Sequence, residues 1–283
     1  MYEAVTQWVD GLPVRLREPH DLDFLSGMGR VFRVFDEQDS GNLCFGLRRE
    51  DGPVFIKYAG AQPLRYDGER MSAIQQLQRA IRVYRELAHP ALTPLKETIV
   101  CPQGLAAVFE WTDGMCMGKQ YPDRDRFLAL PETAKLQIFA DVLTFHAEVI
   151  RRGYVPVDFY DGALLYEPEA GRTRICDVDN YERVPYANPV GRMYGSTRFM
   201  APEEFIKGEP IDERTAVYGA GALAFELFVP GGAREPAAWP LSPAAWLVAS
   251  QATQQDPERR YQTLEEMRAA WEQSFSEWKE WPV

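Results

Sequence analysis

Histidine and cysteine are scarce in this chain, three and four residues among 283. Cys44, Cys101, Cys116 and Cys176 lie far apart with no C-x-x-C spacing, which argues against a structural zinc site and against a disulfide framework. Reduced thiols in a cytoplasmic setting are the expectation. Positive charge is also short: 31 Lys and Arg face 42 Asp and Glu, a formal net charge of −11. Nucleic acid and anionic membrane are therefore not expected as partners. No apolar run is long enough to span a bilayer. The longest, AVYGAGALAFELFV (216–229), contains Glu226 and reads as a buried core helix. MYEAVTQWVDG at the start carries no apolar signal-type segment, so secretion is not expected. Internal repeats and low-complexity linkers are absent too.

What is present is an ordinary globular composition, 46% apolar and 26% charged, at a length that suits one domain or a bilobal unit. GRVFRVFDEQ, NLCFGLRRE and PVFIKYAG alternate as strands do, separated by the turn signals DSGN and EDG. An antiparallel meander over 29–58 follows. MSAIQQLQRAIRVYRELA (71–88) has helical spacing and stops at His89-Pro90. Two further strand-like runs, LKETIV and GLAAVFEW, end at TDGM. Beyond Pro131 the pattern is mostly helical, beginning with a long amphipathic segment that has Pro at its start and Gly at its end. The chain thus divides into a small β-rich half with one helix (1–111) and a larger helical half (112–283), hinged near 110–114.

Between the long helix and the next strand stands VDFYDGALLY (157–166), with Asp158 and Asp161 in one tight turn. Nineteen residues after Asp158, ICDVD places Asp177 at a strand end. GMGRVFRV (27–34), VFIKYAG with Lys57, LAHPALTPL (87–95), VFEWTDG (108–114), GSTRFMAPEE (195–204) and DPERRYQTLEEM (256–267) complete an ordered set. Taken together these motifs resemble the protein-kinase superfamily over nearly the whole chain, as a divergent, bacterial-type Ser/Thr kinase or a pseudokinase.

The resemblance implies an α+β, bilobal protein-kinase-like fold, with an antiparallel sheet and one helix in the N-lobe and a mostly helical C-lobe. It implies ATP and Mg²⁺ as cofactors and a protein substrate, or a scaffolded protein partner in the pseudokinase alternative. Gly27, Gly29 and Val34 would belong to the glycine-rich loop over the phosphates, although Phe32 stands where its third glycine is usual. Lys57 would meet the α- and β-phosphates. Phe109 would be the gatekeeper, and backbone atoms of Glu110 and Thr112 would meet the adenine, above Leu165. Asp158 would orient the attacking hydroxyl and Asp177 would hold Mg²⁺, a hard cation suited to carboxylates. Ser196 would face Asp158, and Glu203 would pair with a buried arginine, Arg260, as a stability feature. GSTRFMAPEE speaks against a small-molecule phosphotransferase such as an aminoglycoside kinase.

Several family residues are replaced. Pro156 and Val157 stand for the His and Arg before the catalytic aspartate, so control by phosphorylation of the activation segment is not expected; Arg192 lies near the usual phosphosite. Tyr160 replaces a lysine that contacts the γ-phosphate. Ala163 replaces the asparagine that binds the second metal, a role left to Asp161 or Asp179. Asp179 also takes the place of the DFG glycine. Ala80 stands at the partner position for Lys57, leaving Glu69 or Glu86, and Ala216 replaces the aspartate that braces the catalytic turn. Five tryptophans after residue 230 complete a small helical core or mark a docking surface.

Overall fold

The computed structural model describes residues 4–275 as two compact units, one of residues 4–88 and 93–112, the other of 89–92 and 113–275. The first opens with a hairpin, β1 (Val5–Val9) and β2 (Leu12–Leu16). Its two-residue turn is Asp10-Gly11, with φ of 50° and 82°, the positive values that a type I′ turn requires. The meander follows as β3 (Arg30–Phe35), β4 (Asn42–Arg49) and β5 (Gly52–Ala59). Helix α1 (Arg70–Glu86) and strands β6 (Leu95–Cys101) and β7 (Gly104–Glu110) complete the unit. The sheet is antiparallel, in the order β3-β4-β5-β7-β6.

Strand alternation sorts this sheet into two faces. Val31, Phe45, Val54, Ile56, Tyr58 and Val108 form a dry core with Val14 and Leu16 of the hairpin. Phe55, Lys57 and Phe109 alternate with that core and lie on the opposite face, where Tyr84 of α1 packs on Phe109 with ring centroids 4.6 Å apart.

The second unit begins with β8 (Met115–Cys116), α2 (Arg124–Leu128) and α3 (Glu132–Arg151). Short strands follow: β9 (Tyr154–Val155), β10 (Leu164–Glu167), β11 (Arg172–Ile175), β12 (Glu182–Arg183), β13 (Tyr186–Ala187) and β14 (Pro210–Ile211). Helices α4 (Glu213–Phe228), α5 (Pro243–Ala252) and α6 (Leu264–Gln273) close it. Thirteen of the sixteen α4 residues are buried, the signature of a helix enclosed on all sides. It packs against α3, α5 and α6. Trp271 is 1% exposed and packs edge-on or tilted against the rings of Phe139, Trp239 and Phe275; Trp246 gives its indole N–H to the Arg234 carbonyl. Trp239 and Trp271 are therefore core residues, while Trp278 and Trp281 lie outside the described residues. All four cysteines are free thiols. Among the described residues no helix is long and apolar enough to cross a membrane.

Candidate active site

The β9–β10 connection is the turn that carries Asp158, and its backbone is unusual. Only three non-glycine residues among those described have positive φ: Asp10, Asp158 at 63° and Asp177 at 60°. The left-handed region costs an L-residue about 1–2 kcal/mol, and such strain collects where function demands it. Two hydrogen bonds cross between the segments that bear the two aspartates. Asn180 Nδ2 donates to Asp158 Oδ2 at 3.0 Å, and the Tyr160 hydroxyl donates to Asp177 Oδ2 at 3.2 Å. Burial, with Asp177 next to it, pushes the Tyr160 phenol far above its usual range, so it stays a donor. Tyr160 thus occupies an Asp177 oxygen.

Asp161 goes elsewhere. It is 1% exposed, and its Oδ2 accepts from Arg124 Nη1 at 2.9 Å and from Arg198 Nη2 at 2.8 Å. The expectation that it replaces the second metal ligand gives way to this: a carboxylate held by two guanidinium groups is already compensated. Ala163 is fully buried and its carbonyl accepts the Cys176 N–H at 2.9 Å, so the asparagine's place is now part of the core.

Residues 193–200 reach the same turn. Met193 and Met200 share a cluster with Val155 and Val157. A cavity of about 20 Å³ is lined by Asp158, Ser196, Glu204, Thr215 and Ala216, among others. A Cβ on Gly195 would stand 3.4 Å from Asp158 Oδ1. Glu204 is 5% exposed; burial pushes its carboxyl up to about 7, although one oxygen accepts the Ala201 N–H at 2.6 Å. Glu203 and Arg260 meet through two contacts, Nη1–Oε1 at 2.7 Å and Nη2–Oε2 at 2.9 Å, as the sequence led us to expect.

Lys57 in the first unit is 8% exposed, on the same sheet face as Phe55. Glu69 and Glu86 stand at the two ends of α1, and Ala80 lies on its buried side. Glu110 ends β7 and gives its N–H to the Pro94 carbonyl at 3.0 Å. Thr112 follows it, while Leu165 sits in β10 opposite Cys116. The rings of Phe32 and Trp111, 4.8 Å apart, cover Gly46; a Cβ there would lie 2.8 Å from each ring.

The expected phosphate loop is displaced. Arg30–Phe35 is strand, so Val34 is a β3 residue paired with Phe45. Met28 and Gly29 give their N–H groups to the Leu25 carbonyl, and Val31 gives its own to Asp10 Oδ2 at 2.7 Å. Gly29 is needed for close packing, because a Cβ there would sit 2.6 Å from the Arg48 carbonyl oxygen. The N–H groups of Met28, Gly29 and Val31 are thus already bonded within the protein, and Val34 is a strand residue, so this segment does not present them as a phosphate cradle would. The turn that joins β3 to β4 is instead 36–41, DEQDSG, with three carboxylates and one glycine. Arg15 pairs with Asp36 and Glu37 at 2.8 Å, and Arg65 with Glu37 at 3.1 Å. Asp10, Asn180, Arg124, Arg198 and Glu226 were not read from the sequence as site residues. For the hairpin, the Asp-Gly step flanked by alternating residues is a signal; for the others spacing carries none.

No family model matches this chain. It is similar to the Arabidopsis thaliana serine/threonine-protein kinase SRK2D, 25% identical over 222 residues that cover 77% of this chain and 57% of that protein. Serine/threonine-protein kinase SRK2E of the same plant is 25% identical over 221 residues, 75% of this chain and 56% of its own length. The chain spans a little over half the length of these curated relatives. With the sheet-rich first unit and helical second unit, the similarity defines an α+β, protein-kinase-like fold.

Proposed function

We propose that this chain transfers the γ-phosphoryl group of ATP to a Ser or Thr hydroxyl of a protein substrate, as a divergent kinase. The observation that supports this best is the pair Asp158 and Asp177, both held in left-handed backbone and each hydrogen-bonded by a residue flanking the other. Asp158, oriented by Asn180, would accept the proton of the attacking hydroxyl. Asp177 is the residue to hold Mg²⁺, which when bound offsets the charge on the phosphate oxygens. Among the described residues no three His, Cys, Asp or Glu side chains converge on a metal site. Mg²⁺ suits such a setting, since it commonly takes one or two carboxylates and draws its other ligands from water and phosphate. Lys57 would neutralise phosphate charge. Backbone atoms of Glu110 and Thr112, with Leu165, would contact the base. The free thiols support a cytoplasmic setting.

A second reading, a pseudokinase scaffold for protein partners, is favoured by the acidic turn 36–41 and by the Phe32 and Trp111 rings over Gly46. Carboxylates beside phosphate oxygens are repulsive. Thermal shift with ATP, with and without Mg²⁺, separates the two readings when wild type is compared with Asp177→Asn. The kinase reading predicts Mg²⁺-dependent stabilisation that the variant lacks. Equal behaviour of both proteins would count for the scaffold.

A further inference from the structure

Four buried or half-buried charges converge where α2, the Asp158 turn, the activation segment and the end of α4 meet. Arg198 Nη2 bonds Asp161 Oδ2 at 2.8 Å while its Nη1 bonds Glu226 Oε2 at 2.8 Å. Arg124 spans the same two carboxylates, at 2.9 Å to Asp161 and 3.6 Å to Glu226, and donates to the Met117 carbonyl at 2.6 Å. Two cations and two anions balance, and the carboxylates are 1% and 6% exposed. Arg198 lies three residues after Gly195, whose Cβ position nearly touches Asp158, and Asp161 lies three residues after Asp158. One guanidinium therefore bridges both segments that flank the Asp158 carboxylate.

We propose that Arg198, seconded by Arg124, is a positioning residue that holds the end of the activation segment against the Asp158 turn, so that this segment reaches its working conformation without phosphorylation. The inference rests on the kinase reading for the word "working", but the lock itself is a property of the fold. Two other observations point the same way. Val157 leaves no arginine immediately before Asp158 to receive a phosphate. Arg192 is turned onto its own segment, donating to the Met193 carbonyl at 2.9 Å and the Gly195 carbonyl at 3.1 Å. Removing one cation from a buried balanced cluster leaves two carboxylates around a single guanidinium, a strongly unfavourable arrangement. Loosening should then appear in both bridged segments at once, because the cluster is their common tie.

Hydrogen exchange by mass spectrometry on the full chain tests this, with wild type, Arg198→Lys and Arg198→Met, each measured before and after phosphatase treatment. We expect Arg198→Met to speed exchange about tenfold or more in both 158–163 and 193–200, with Arg198→Lys in between, and phosphatase to change nothing. The surface variant Arg268→Met should leave both segments as in wild type. In transfer assays Arg198→Met should lower kcat while KM for ATP holds. Exchange in 158–163 that stays within about twofold of wild type overturns the proposal. So does a phosphatase-treated wild type whose 193–200 segment loses protection. A wild type that shows the exchange pattern but transfers no phosphate would sink the kinase reading and leave the lock standing.

Discussion

Removing Arg260 should be the most damaging single change in the second unit. The residue is 3% exposed and its guanidinium is fully engaged: both terminal nitrogens reach Glu203, and further bonds go to the carbonyls of Gln254 at 2.8 Å, Arg214 at 3.0 Å and Gln255 at 3.2 Å. The Glu203 carboxylate also accepts from the Thr215 hydroxyl at 2.8 Å. Arg260→Met therefore strands a buried carboxylate with a single neutral donor. Breaking one side of such a pair costs about 3–5 kcal/mol. At about 2–4 °C per kcal/mol for a chain of this size, Tm should fall by roughly 10 °C. Glu203→Leu leaves an arginine that keeps three carbonyl acceptors, so its loss should be smaller. The double variant Arg260→Met, Glu203→Leu should recover much of the difference, because neither charge is then stranded. Urea denaturation followed by tryptophan fluorescence reads all three. Single losses below about 1 kcal/mol that add in the double variant would show that the two charges are not coupled.

Glu204 predicts a pH dependence. Its folded value of about 7 lies above the ordinary 4.5, so its contribution is fully present below pH 4.5 and is lost as pH rises through about 7. The lost stability is about 3 kcal/mol, and Glu204→Gln, which can still accept from Ala201 N–H, should remove that slope in denaturation curves between pH 5 and 8; an unchanged slope would contradict the assignment. Tyr160→Phe deletes a hydrogen bond to the Asp177 carboxylate and should cost about 1.5–3 kcal/mol, read by the same denaturation assay. Asp10→Ala deletes the acceptor for the Val31 N–H and should lower the first unit's stability by about 1–2 kcal/mol, whereas Asp10→Asn should retain most of it.

The antiparallel meander and the long helices were legible because each rests on local pattern. Alternation and the turns DSGN and EDG set the β3-β4-β5 meander, and capping signals brought α1 and α3 within a few residues of their observed ends. Glu203 with Arg260 was legible because the segment around each is distinctive. The phosphate loop was misplaced for an equally physical reason. Gly27-Met-Gly29 satisfies a spacing rule, yet its glycines serve a tight turn onto Leu25 and a close pass beside Arg48. Which turn joins the first two strands is a matter of topology. The Arg124–Asp161–Arg198–Glu226 cluster was invisible because its members lie up to 102 residues apart and no local pattern links them. Asp161 reads as a free carboxylate in a turn until both arginines are placed.

Transfer of labelled γ-phosphate from ATP to a Ser/Thr peptide library, catalysed by wild type, Asp158→Asn and Asp177→Asn in Mg²⁺, decides whether this chain acts as a kinase. Wild type should transfer phosphate at a rate that falls by at least about a hundredfold in either variant. Wild-type transfer no faster than the Asp177→Asn background would contradict it.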